Sequence, residues 1–231
     1  MQLSASQDVA RRMAPFVLLA GLFVGALYLA SSARLDEADF TFNNATEVAT
    51  LDPARVTGVP EGNIIKALFE GLVVKHPKTL APMPGMAESW SVSEDLLTYT
   101  FYIRKNAKWT DGEPVTADDF VYSWERFLNP ATAAEYSYQL WYVVGAEQYS
   151  KNVNENGAPK NSFDSVAIKA KNKYTLEVKL NSPTPFFMDL MAFYPMFPVS
   201  RKNIEEAQAK WPNNNEWEMQ WLRPENLVTN G

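Results

Sequence analysis

Hydrophobic and polar positions change period several times along this 231-residue chain, and each change marks an element. The clearest case is Leu97 to Phe127. From Thr98 to Arg104 aromatic and β-branched residues alternate sides, which places Tyr99, Phe101 and Ile103 on one face of a strand. Asp111-Gly112 is a turn pair, because glycine takes a positive φ without steric cost. Thr116 occupies an N-cap position, with Asp118 and Asp119 in the first turn near the positive end of the helix dipole. Phe120, Trp124, Phe127 and Leu128 then recur at helical spacing until Asn129-Pro130 ends the run.

The same reading extends in both directions. Phe40-Thr41-Phe42 is a short expected strand. Pro60 and Glu61 suit the first turn of a helix that turns Ile64, Ile65, Leu68, Phe69 and Leu72 inward and ends near Gly71. Leu72 to Lys75 predicts a strand, and His76-Pro77 and Pro82-Met83-Pro84-Gly85 predict turns. Val166 to Lys171 and Tyr174 to Leu180 predict a hairpin around Asn172-Lys173, with Leu176, Val178 and Leu180 on its dry face. A short helix is expected from Phe186 to about Ala192, an extended segment from Tyr194 to Val199, and a last helix near Ile204 to Trp211. Lys151 to Ser162 is polar and reads as a solvated loop.

The N-terminus is different in kind. Arg11-Arg12 precede an apolar run from Met13 to Ala30, about 18 residues and near the lower limit for a bilayer span. Ala30-Ser31-Ser32-Ala33 could be a cleavage site. Residues 1–33 therefore read either as an uncleaved signal anchor, held with its basic end in the cytoplasm, or as a removed signal peptide. Both readings export the rest of the chain.

Composition narrows the chemistry. The net charge of −6 argues against nucleic acid as a partner, since phosphate recognition needs clustered Lys and Arg. The absence of cysteine excludes disulfides, thiolate metal sites and a Cys nucleophile. The one histidine, His76, falls in an expected surface turn. No H-E-x-x-H, G-x-S-x-G, P-loop or dinucleotide glycine pattern occurs. Asp118 and Asp119 are adjacent on a helix and point about 100° apart, so helix capping explains them better than paired catalysis. Nothing points to an enzyme, a cofactor or a metal. Tyr136, Tyr138, Trp141 and Tyr142 form an aromatic cluster of the sort that lines sites for amphipathic ligands, although partial burial in a core explains such residues equally well.

The run W-T-D-G-E-P-V-T-A-D-D-F-V-Y-S-W at Trp109 to Trp124, preceded by A-E-S-W at Ala87 to Trp90, closely resembles the oligopeptide- and dipeptide-binding proteins of bacterial ABC importers. L-D-P at Leu51 to Pro53, F-E-G-L at Phe69 to Leu72, P-T-P-F-F at Pro183 to Phe187 and T-N-G at Thr229 to Gly231 match the same family, called solute-binding protein family 5. The resemblance implies an α/β, periplasmic-binding-protein-like fold of two lobes (type II) with the N-terminal transmembrane or signal helix ahead of it. It places residues 34–69 and 201–231 in part of the larger lobe and 70–200 in a smaller inserted α/β lobe. T-N-G leads into the second lobe in the family, so the expectation is a truncated fold, a monomer holding only part of the site.

By the same resemblance, two lobes close over a peptide held through its backbone, and an ABC permease of the inner membrane reads the closed state. Carried over by position, Thr57, Gly58 and Val59 form the cleft loop, with Tyr136 and Tyr194 facing it from the smaller lobe. Thr57 stands where relatives often carry an acidic residue. The expected ligand is an oligopeptide, another solute such as a dipeptide or a metal chelate is the second possibility, and a membrane-anchored sensory or envelope-interaction domain of the same fold is the rival reading.

Overall fold

A computed structural model describes residues 5–32, 41–213 and 215–231, with side chains of the first helix described over 13–28. The chain divides into two compact units, Met1–Asn43 and Asn44–Gly231. The first holds helix α1, Ala5–Ser32, with Pro15 inside it. Every residue from Met13 to Tyr28 is exposed. Among the described residues no helix is long and apolar enough to cross a membrane, so the expected transmembrane span is not supported. The proposed cleavage point at Ala33 lies outside the described residues, as does Phe40. Thr41 and Phe42 are not in a strand.

The second unit opens with a loop and helix α2, Val59–Leu68. Pro60 sits in its first turn, where its missing N–H costs nothing. The helix stops at Leu68, not near Gly71: Phe69 is already extended, and its N–H closes the last turn on the Ile65 carbonyl. Strand β1, Val73–Lys75, then pairs antiparallel with β2, Pro82–Pro84. The expected turn at Pro82–Pro84 is thus a strand, a place prolines can take because this sheet has only two strands and each has a free edge. His76 does lie in a turn, its Nδ1 accepting the N–H groups of Lys78 and Thr79 at 3.2 and 3.1 Å.

Strands β3 (Ala87–Val92) and β4 (Thr98–Ile103) begin the main sheet. Helix α3, Ala117–Leu128, follows the turn in which Gly112 adopts φ +91°. Short turns lead to α4, Ala146–Lys151, and Gly145 ahead of it has φ +82°. A Cβ there would lie 2.4 Å from the Ser165 carbonyl oxygen, so only glycine fits. The hairpin β5 (Ile168–Asn172) and β6 (Thr175–Lys179) completes an antiparallel sheet in the order β3-β4-β6-β5. Phe101 faces Leu176 and Tyr99 faces Val178 across β4 and β6, all four buried. Helix α3 packs over β5 and β6 with Phe120, Trp124, Phe127 and Leu128 buried. Each such side chain contributes about 2–3 kcal/mol of apolar burial.

Helix α5, Phe187–Met191, leads to a 3₁₀ turn at Tyr194–Met196 where an extended segment is expected from the two prolines. The turn is fixed from α3: the Trp124 indole N–H donates to the Met196 carbonyl at 2.9 Å, and the Val199 N–H donates to the Ser123 hydroxyl at 2.9 Å. Proline accepts either conformation at φ near −65°, so tertiary hydrogen bonds choose between them. Helices α6 (Arg201–Lys210) and α7 (Trp217–Gln220) close the chain. Thr229 to Gly231 return to α2, with the Gly231 N–H on the Leu68 carbonyl at 3.1 Å and the Asn230 amide exchanging two bonds with the Glu70 backbone.

Candidate ligand cleft

The loop ahead of α2 carries Thr57, Gly58 and Val59, and its shape follows from Asp52. The Asp52 carboxylate accepts the Ala54 N–H at 3.1 Å, and its carbonyl accepts the Arg55 N–H at 3.0 Å, closing a tight turn. Beyond the turn Val56 is buried and Val59, the first helical residue, is 76% exposed at the crest. Gly58 lies under the Glu61 side chain: a Cβ at Gly58 would sit 1.9 Å from Glu61 Oε2. The other Glu61 oxygen accepts the Ala49 N–H at 3.1 Å, so Glu61 ties the loop to the preceding chain.

Two tyrosines far away in sequence meet this loop. Tyr136 donates its hydroxyl to the Thr57 carbonyl at 3.2 Å, and Tyr194 donates to the Gly58 carbonyl at 3.3 Å. The Gly58 carbonyl also accepts the Gly62 N–H at 3.1 Å, so both its lone pairs are engaged. Phe193 stands between the tyrosines, its ring 5.4 Å from Tyr136 and 4.7 Å from Tyr194. Burial, then the neighbouring Tyr136 and Glu61, raises the Tyr194 pKa above its usual 10. All five residues singled out from the sequence are thus brought together.

A cavity of about 1090 Å³ lies at the other end of α2, with Phe69, Glu70, Gln139, Phe193 and Tyr194 in its wall and Gly231 at its edge. Tyr194 belongs to both features. Thr57, Gly58, Val59 and Tyr136 do not line the cavity.

The pairing of Asp52 with Arg126 was not visible in the sequence. L-D-P marks Asp52 only as a loop residue, and its partner is 74 positions away. Asp119 caps the helix, accepting the Thr116 N–H at 2.8 Å and its hydroxyl at 2.9 Å, and Asp118 lies beside it in the first turn. Among the described residues no group of His, Cys, Asp or Glu is placed to hold a metal ion. An exposed loop crest beside aromatic faces suits non-covalent capture of an extended ligand.

This fold and this loop define the chain as part of an α/β solute-binding protein. It belongs to the bacterial extracellular solute-binding proteins, family 5, whose middle region matches residues 81–231. It is 38% identical over 196 residues to the periplasmic oligopeptide-binding protein OppA of Salmonella typhimurium, covering 85% of this chain and 33% of that protein. It is 42% identical over 172 residues to the oligopeptide-binding protein OppA of Bacillus subtilis, covering 74% and 30%. A crystal structure of Haemophilus influenzae OppA in complex with RPPGFSPFR superposes with a TM-score of 0.72 at 34% identity, covering 86% of this chain and 36% of that one. The chain therefore spans about a third of the length of the relatives it matches.

Proposed function

We propose that this chain supplies one wall of the ligand cleft in the extracytoplasmic binding component of an ABC importer, which captures oligopeptides and presents them to its permease. One observation carries the reading. In a chain of this family, Tyr136 and Tyr194 converge from distant positions on the carbonyls of the Thr57-Gly58 loop. An extended peptide would lie along that loop, hydrogen-bonded through its backbone, with Val59 exposed toward it. Residues 34–69 and 201–231 belong to the larger lobe in this reading, with 70–200 inserted as the smaller one. The function is binding without turnover, and the location is the periplasm.

The exposed apolar side chains from Met13 to Tyr28 support membrane association of α1.

The full product of the gene should gain thermal stability with some members of a broad panel of short peptides. No shift across the panel would overturn the reading. The anchor is tested by carbonate washing: retention on membranes with an N-terminus at Met1 supports it, and a mature N-terminus at Arg34 removes it.

A further inference from the structure

The loop that carries Thr57 and Gly58 has a tip and a root. Its tip is held by two hydroxyl bonds longer than 3 Å. Its root is held by an ion pair. Arg126, on the last turn of α3, grips Asp52 with both arms of its guanidinium, Nη1 to Oδ1 at 2.8 Å and Nη2 to Oδ2 at 2.5 Å. The two side chains are only 11% and 3% exposed. Asp52 Oδ1 is at the same time the acceptor for the Ala54 N–H, so one carboxylate both shapes the turn and bolts it to the helix. Trp221, itself buried, lies under the Arg126 guanidinium, its ring centroid 5.9 Å away. Three residues along the loop, Arg55 pairs with Glu218 at 2.5 Å, nearer solvent.

From this arrangement we infer that Arg126 is a positioning residue for the ligand-facing loop: through Asp52 it fixes where the Thr57 and Gly58 carbonyls stand. The inference rests on the proposed function for its link to ligand, but not for its effect on the loop. Helix α3 does not depend on this pair for its own place. Its Phe120, Trp124, Phe127 and Leu128 are buried independently of Asp52. The loop's apolar anchors are smaller: Pro53, Ala54 and Val56 are buried, and Leu51 packs half-buried against the core. When the grip is lost, the buried carboxylate can reach water by local opening of residues 50–58, without unfolding the sheet. A loop that spends a tenth of its time in the binding geometry weakens apparent affinity about tenfold.

Arg126→Lys separates positioning from simple charge neutralisation, because lysine keeps the positive charge but not the planar two-pronged fork. The first measurement is amide hydrogen exchange on this 231-residue chain, wild type against Arg126→Lys. The expected result is at least about tenfold faster exchange at Ala54 and Arg55, with β4 and β6 unchanged. Unchanged exchange at Ala54 and Arg55 overturns the inference. So does an equal rise across the loop and the sheet, which is what a merely structural pair would give. The second measurement is titration of tetra-alanine onto the full product of the gene, where Arg126→Lys should raise Kd about tenfold while β4 and β6 keep their protection. Equal affinity for the two proteins overturns the positioning role at the ligand. If wild type binds none of the peptides in the panel, the proposed function fails, and the exchange experiment still decides what Arg126 does to the loop.

Discussion

In the main sheet, Phe101 and Leu176 face each other across β4 and β6 without exposure, and α3 closes over the sheet with four large apolar side chains. In the loop from Thr50 to Gly58, small apolar residues are buried at Pro53, Ala54 and Val56, and the backbone is held in addition through polar atoms of Asp52, Tyr136 and Tyr194. Apolar burial is additive with area and indifferent to small displacements, so the sheet has many redundant supports. A hydrogen bond is directional, contributes a net 0.5–1.5 kcal/mol or so, and is lost when its partner moves by an ångström. The loop proposed to meet ligand is therefore held by contacts that can open singly, on a sheet whose many supports open together.

The comparison can be broken most directly in the base. Trp124→Ala removes a side chain that is 1% exposed and deletes its bond to the Met196 carbonyl. The expected cost is about 3–5 kcal/mol by urea denaturation, with the whole of Asn44–Gly231 affected. A loss confined to the turn at Tyr194–Met196 would show that the sheet does not rely on α3.

A cap on that same helix has a smaller effect with a defined pH dependence. Asp119→Asn should cost about 1 kcal/mol through the weakened cap. Burial, outweighing the bonds from Thr116 and Trp109, raises the Asp119 carboxyl above 3.8. The folded state therefore holds that proton more tightly than the unfolded chain. The stability this group contributes falls as pH rises from 3.8 through the folded pKa. The gap between wild type and Asp119→Asn should narrow over that interval in parallel urea titrations; a widening gap would reverse the sign.

The loop is probed by Tyr136→Phe and Tyr194→Phe. Tyr136 supplies the one bond found for the Thr57 carbonyl, whereas the Gly58 carbonyl keeps the Gly62 N–H when Tyr194 is cut back. Tyr136→Phe should raise exchange around Thr57 and Gly58 by an amount worth about 1 kcal/mol, and Tyr194→Phe by less. The reverse order would mean that the loop is hung from α2 and not from the tyrosine. Smallest of all is Arg201→Ala, which removes an exposed pair with Glu205 on α6 and should change stability by about 0.5 kcal/mol or less.

Legibility in the sequence followed the range of the interaction. The strand at Thr98–Ile103, the Asp111-Gly112 turn and the helix at Ala117–Leu128 were readable because each depends on residues a few positions apart. The end of α2 and the conformation of Tyr194–Met196 were misread for the opposite reason. Leu68 and Glu70 are engaged by Gly231 and Asn230, and Met196 is engaged by Trp124, 72 residues away. The five cleft residues came from likeness to a family and not from periodicity, which has no means of placing Tyr136 beside Thr57. Nothing local distinguished Asp52 from any other loop aspartate.

The sequence by itself determined the strand, turn and helix from Thr98 to Leu128, the dry and wet faces of the hairpin, and the family. These rest on backbone sterics and on the spacing of apolar side chains, which act along the chain. Tertiary structure alone decided that a tyrosine 79 positions downstream would bond to the Thr57 carbonyl and that Arg126 would close on Asp52. Hydrogen bonds and ion pairs depend on distance in space, and that distance is set only once the apolar core has brought the segments together.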